Sequence, residues 1–183
     1  PRRVSRLVGL GAAHPLRVRA ALVADPRGQM AATAPMLRFQ VPRYEHVITR
    51  NDAELVGELI ERWSGPAWTH TAAYADYVAR CREAIQIPQA AFCALEAYRW
   101  VFRSALRLQG YRFVKLMQRP LITPTLHLHG ALDMAVLPRT AQGSGRYVIA
   151  PYEWRLIEDA GHFLHREAPD VVTGEVLRWA KTT

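Results

Sequence analysis

The chain has 183 residues, half of them hydrophobic and 22% charged, a composition that fits a folded domain and excludes disorder, collagen-like sequence and coiled coil as overall descriptions. No apolar run reaches the roughly 18 residues that a membrane-spanning helix needs, so no membrane association is expected. The net charge of +8 comes almost wholly from arginine, and these arginines are scattered singly without a nucleic-acid-binding motif, which argues for a solvated basic surface and against a nucleic-acid partner.

In chain order, Val4-Ser5-Arg6-Leu7-Val8-Gly9-Leu10 reads as the first of three buried strands. A long stretch with almost no strand signal follows, and it reads as helices. One opens at Asn51 or Asp52 as N-cap, carries Leu55, Leu59 and Ile60 at helical spacing, and stops at Ser64-Gly65-Pro66. A second opens at Thr69 or Thr71 and carries Tyr74, Tyr77, Val78 and Cys81. A third starts at Pro88; Phe92, Leu95, Trp100 and Phe102 give it a broad apolar surface, which Leu106 extends toward Gly110. The densest basic cluster, Arg99 and Arg103 with Arg107, lies along one side of this helix and is expected to be solvated. Pro124-Thr125-Leu126-His127-Leu128-His129, ended by Gly130, is the second strand, and Trp154-Arg155-Leu156-Ile157 the third. Gln142 to Gly145 reads as a short loop. Pro169 to Lys181 reads as an amphipathic helix with Val171, Val172, Val176, Leu177 and Trp179 on its apolar side.

Parallel strands separated by helices imply an α/β sheet, but three strands make too small a sheet to be covered on both faces. The alternatives are a swollen helical protein with a small sheet or, the favoured expectation, a piece of a longer chain that holds the rest of the sheet. The latter is consistent with an amino end, Pro1-Arg2-Arg3-Val4, that lacks a starting Met and is not a secretory signal. Cys81 and Cys93 form no Cys-x-x-Cys and are expected as free, buried thiols in a reducing, cytoplasmic compartment.

Functional residues of open α/β sheets gather beyond the carboxyl ends of strands. Asp133 follows the second strand, and Gly161-His162 follows the third. A carboxylate beside an imidazole is the back half of a charge relay: the acid fixes the tautomer and the histidine moves protons or activates water. Gly161 is expected to allow the sharp turn that aims the ring into a cleft. The bland readings are a turn or cap residue for Asp133 and a structural histidine for His162. His127 and His129 share a strand face, where packing is the expectation; a zinc site needs three or four ligands, and spacing supplies no others. Trp63, Trp68, Tyr74 and Tyr77 are expected mainly as helical core, with a substrate pocket as the alternative. His165 is expected to face solvent.

These segments resemble the C-terminal part of an α/β-hydrolase-fold enzyme, most like the epoxide hydrolases. Pro124 to Asp133 and Ala160-Gly161-His162 resemble that family's acid and histidine loops, and Glu167-Ala168-Pro169 with Leu177-Arg178-Trp179 its closing helix. Val4 to Leu10 with His14-Pro15 looks like the strand after the nucleophile region. Phe39-Gln40-Val41-Pro42 and Ala97-Tyr98-Arg99 look like parts of its cap. The resemblance implies few parallel strands with a helical cap insertion: residues 1–15 as core strand, 16–119 as cap, 120–183 as C-terminal core. It implies Asp133 as orienting acid, His162 as base, and Tyr98 as one of two tyrosines that donate to an epoxide oxygen. The implied partners are a small apolar substrate, water and the missing N-terminal half, with no cofactor and no metal.

Two departures stand against it. The place of the second tyrosine falls near Pro35, which has no proton to give, and Tyr44 lies on the wrong side of the motif. No nucleophile elbow is present; Gly143-Ser144-Gly145 is not one, because no strand precedes it. The nucleophile would then lie upstream and the chain alone would be inactive. Alternatives are a dehalogenase, an esterase or lactonase of the same fold, or a non-catalytic fragment.

Overall fold

A computed structural model describes residues 3–105 and 107–181. Leu106, assigned above to the third helix, and Pro1 and Arg2 at the amino end lie outside the described residues. Three parallel strands, β1 (Leu7–Leu10), β2 (Thr125–Gly130) and β3 (Tyr152–Ile157), lie side by side in that order. The central β2 is buried at every position. Alternation along the strand explains its Leu-His-Leu-His sequence. Leu126 and Leu128, both 0% exposed, pack with Ala160, Leu164, Val172 and Trp179, and each contributes about 2 kcal/mol by burial. Trp154, the β3 partner of His127, meets the His127 ring edge-on and stacks on His129.

The chain between β1 and β2 is helical: α1 (Pro15–Ala24), a single π-type turn (Pro26–Met30), α2 (Ala31–Arg38), α3 (Glu45–Ile48), α4 (Arg50–Trp63), α5 (Pro66–Thr69), α6 (Ala72–Gln86), α7 (Ala90–Ser104) and α8 (Leu108–Met117). This part has a core of its own, in which Phe39, Tyr44, Ile48, Ala91 and Leu95 pack together. After β2 come α9 (Pro138–Gln142) and a 3-10 turn (Gly143–Tyr147); after β3 come α10 (Leu164–Glu167) and α11 (Pro169–Lys181).

Several local expectations are corrected. Asn51 and Asp52 do not cap α4; they and Ala53 take left-handed φ values of 50, 54 and 55° inside it, and the Asp52 carboxylate instead pairs with Arg82 at 2.8 Å. Thr71, not Thr69, caps α6, accepting from the Tyr74 amide at 3.2 Å. The third helix starts two residues after Pro88, from Gln89 in a left-handed conformation. Of its described apolar residues Leu95 enters the core and Phe102 is half-buried, while Phe92 and Trp100 are exposed. In α11, Val172 and Trp179 face the core, but Val171 and Leu177 face out. The stretch from Gln142 to Gly145 is helical turn and not open loop; the Ser144 hydroxyl accepts from the His14 amide at 2.9 Å. The cysteines are free but not buried: Cys93 is exposed and Cys81 half-buried.

Arg99 departs furthest from expectation. It is not solvated but 4% exposed. Its guanidinium donates to the carbonyls of Phe39 (2.8 Å) and Val41 (3.1 Å) and to the carboxylates of Glu96 (3.0 Å) and Glu45 (3.1 Å). The planar fork thereby ties α7 to the turn after α2, bringing Phe39-Gln40-Val41-Pro42 against Ala97-Tyr98-Arg99. Removing it leaves buried acceptors without a donor, so Arg99→Ala should lower unfolding free energy by about 3–5 kcal/mol in urea titrations. Arg99→Lys, which lacks the fork, should lose an intermediate amount.

Candidate active site

The loop after β2 begins at Gly130, whose place leaves no room for a side chain: an added Cβ would lie 2.1 Å from the Gly161 carbonyl and 2.3 Å from that of Ala160. The two loops beyond β2 and β3 therefore touch through backbone, and the Leu132 amide donates to the Ala160 carbonyl at 2.9 Å. That contact brings Asp133 and His162 together. The Asp133 Oδ2 accepts from His162 Nδ1 at 2.9 Å. The acid side chain is 0% exposed and the histidine side chain 30% exposed, so the pair runs from a sealed floor to an accessible ring.

Every group around the acid donates. Its Oδ1 accepts from the amides of Ala135 (2.8 Å) and Val136 (2.9 Å), and His129 Nε2 stands 3.3 Å from Oδ2. An ionised carboxylate satisfies all four as acceptor. In the neutral ring His162 then carries its proton on Nδ1 and its lone pair on Nε2. His129 Nε2 also lies 2.8 Å from the Val136 carbonyl, which only accepts, so this nitrogen bears the proton. Burial lowers the His129 pKa against the pull of the Asp133 charge. Sequence reasoning missed His129 as an acid-loop partner; its place four residues before Asp133 was the only hint.

The histidine loop is seated on the end of α4. The His162 amide donates to the Trp63 carbonyl at 2.7 Å. Glu167 accepts from three amides, Gly65 (2.7 Å), Gly161 (2.6 Å) and Phe163 (2.9 Å). Gly161 is needed for space and not for a turn: its φ is not positive, and a Cβ there would lie 2.4 Å from the Trp63 carbonyl. Beside His162, Phe163 packs with Tyr77, and both pack with Trp68, which also meets Tyr74. Trp63 and Trp68 are buried as expected of core, yet their cluster also walls the histidine. His165 is exposed, as expected.

Tyr98 sits on α7, 37% exposed, with its ring edge-on to Phe39 at 5.1 Å; partial desolvation raises its pKa above the usual phenol value. Among the described residues no hydrogen bond or ring contact joins it to the Asp133–His162 pair. Pro35 lies inside α2 and lines one groove with Phe39 and Tyr44.

The other strand histidine is structural. His127 Nδ1 lies 2.9 Å from the Tyr152 hydroxyl, and burial, aided by the nearby His129, pushes its pKa down to about 4. Burial also pushes Tyr152 up to about 12. Because the unfolded chain binds the His127 proton near pH 6.5 and the folded chain does not, this stability is full above pH 6.5 and is lost as pH falls toward 4. The loss should amount to about 3 kcal/mol, and His127→Gln should flatten that slope in unfolding curves taken across the interval. Among the described residues no group of three or more His, Cys, Asp and Glu could hold a metal ion, and no helix is long and apolar enough to cross a membrane.

No protein-family model and no curated protein matches the sequence. Solved structures do. A protein of Nostoc sp PCC 7120 assigned to the α/β hydrolases superposes with a TM-score of 0.79 at 17% identity, over 100% of this chain and 60% of that one. A variant of an epoxide hydrolase from Bacillus megaterium gives 0.75 at 18% identity, over 100% and 62%. The Cif epoxide hydrolase from Acinetobacter nosocomialis gives 0.74 at 17% identity, over 98% and 54%. The chain thus spans about 60% of the length of the first structures it matches. It has the fold of the C-terminal part of an α/β hydrolase, and epoxide hydrolases are among the solved structures that it matches.

Proposed function

We propose that this chain supplies the acid, the histidine and the cap of an epoxide-hydrolase-like enzyme, acting on a small apolar substrate with water and no cofactor. Residues 16–119 form the cap, between a core strand in 1–15 and the C-terminal core in 120–183; the separate apolar cluster around Phe39 and Leu95 supports that division. The nucleophile, an aspartate in this reading, lies outside these 183 residues. Its carboxylate oxygen attacks an epoxide carbon, an ester bond forms as the ring C–O bond breaks, and the alkoxide takes a proton with Tyr98 as donor. His162 Nε2 then removes a proton from water, whose oxygen attacks the ester carbonyl. Asp133 holds the imidazolium charge until the tetrahedral intermediate collapses; the leaving alkoxide then takes the imidazolium proton to complete the diol. The proton left on the restored aspartic acid returns through solvent to the Tyr98 phenolate, so that both carboxylate and phenol are regenerated. The free thiols suit a reducing cytoplasm. The observation that carries the reading is the 2.9 Å contact between His162 Nδ1 and the buried Asp133.

A second reading, halide release from a haloalkane, draws on another observation. The indole Nε1 atoms of Trp63 and Trp68, in the aromatic wall by His162, are buried without a hydrogen-bond partner among the described residues. The test is turnover of styrene oxide, 1-bromobutane and p-nitrophenyl acetate by the intact protein. Styrene oxide should yield its diol, and His162→Ala should cut the rate by at least about 100-fold. Preference for 1-bromobutane would transfer the assignment to the second reading. Turnover unaffected by His162→Ala would overturn both, and turnover by the 183-residue chain alone would contradict the placing of the nucleophile.

A further inference from the structure

Gln29 lies in the single turn between α1 and α2, and it is 1% exposed. Its carboxamide reaches the acid loop across more than a hundred residues of sequence. Nε2 donates to the Ala135 carbonyl at 2.9 Å, and Oε1 accepts from the Leu137 amide at 3.0 Å. A carbonyl can only accept and an amide N–H only donate, so this pair of contacts fixes the orientation of the side chain. The remaining amide hydrogen points to Thr33 Oγ1 at 3.3 Å, and that hydroxyl donates to the Gln29 carbonyl at 2.8 Å. The turn is held from the other side by Asp25, which accepts from the Gln29 amide at 3.2 Å and pairs with Arg139 of α9 at 2.7 Å.

Gln29 therefore grips residues 135 and 137, while Asp133 Oδ1 takes the amides of 135 and 136 between them. The same short loop presents one set of backbone groups to the acid and the other to Gln29. We infer that Gln29 is a positioning residue for Asp133: it makes the aim of the acid depend on how the segment between α1 and α2 is seated. This rests on the Asp133–His162 reading above. Seating of the helical insertion would then be transmitted to the acid through one carboxamide, with no contact between Gln29 and substrate.

Gln29→Met keeps the length and bulk and removes both hydrogen-bonding groups. Thr33→Val loosens Gln29 without touching the loop. In the intact protein, kcat, KM, thermal unfolding and the His162 Nδ1 proton resonance are read together. Gln29→Met should lower kcat by about 10- to 100-fold with KM unchanged, and should shift or broaden the His162 resonance. Thr33→Val should do the same to a smaller extent. A folded Gln29→Met protein with wild-type kcat and a wild-type His162 resonance would overturn the inference even if its melting temperature fell, since that pattern belongs to a merely structural residue. Absence of the hydrogen-bonded His162 resonance from the wild-type protein would instead overturn the reading on which the inference depends.

Discussion

Asp133→Ala should abolish turnover and destabilise the protein, whereas Asp133→Asn should abolish turnover with little loss of stability. The alanine leaves the buried amides of Ala135 and Val136 without an acceptor, and it strips His162 Nδ1 of its partner. A buried unpaired donor costs about 1–3 kcal/mol, so the sum should lie near 3–5 kcal/mol in chemical denaturation. Asparagine can keep its oxygen toward the two amides. Its amino group then faces His162 and His129, both donors in the present arrangement, and favours the His162 tautomer with the lone pair on Nδ1. By analogy with other acid–histidine relays, the rate should fall on the order of 10⁴-fold. Wild-type activity in the Asp133→Asn protein would mean that the acid has no catalytic task.

Glu167→Ala should destabilise the protein by loosening the seat of the histidine loop. One carboxylate holds the amides of Gly65, Gly161 and Phe163, so it fixes the histidine loop and the turn after α4 at once. Hydrogen bonds to a charged group are worth about 1.5–3 kcal/mol each. Allowing for partial solvent access, the loss should be about 3 kcal/mol, or roughly 6–12 °C in melting temperature for a chain of this size. Glu167→Gln keeps one acceptor oxygen for Gly65 and Gly161 but turns an amino group toward the Phe163 amide, and should lose less than half as much. Equal melting temperatures for all three proteins would show that the clamp does not bear on stability.

What was legible in the sequence is what local pattern encodes. Strand β2 shows as an apolar run ending in glycine, α11 as a proline-started amphipathic run, and Asp133 and His162 as polar residues just past strand ends. The helical nature of residues between β1 and β2 follows from periodicity in the same way. What escaped depends on contacts between distant residues. Arg99 looked like surface charge because its acceptors, the carbonyls after α2, are 60 residues away in sequence. Glu167 counted only as part of a closing helix, while one of its three amides lies 102 residues upstream. Gln29 gave no signal, because a glutamine in a turn is ordinary until residue 135 is found beside it. Gly161 was singled out correctly for the wrong cause: the limit is the distance to Trp63, which no local rule reports. The left-handed stretch from Asn51 to Ala53 contradicts local propensity outright, since successive non-glycine residues rarely adopt it.

The central claim is that Asp133 sets the tautomer of His162. Long-range proton–nitrogen correlation of the imidazole nitrogens, recorded above neutral pH on the intact protein, tests it most directly. The account predicts that His162 is held with its proton on Nδ1 and a bare Nε2, and that Asp133→Ala releases it to the Nε2-protonated form. A wild-type His162 that already carries its proton on Nε2, unchanged by Asp133→Ala, would contradict it.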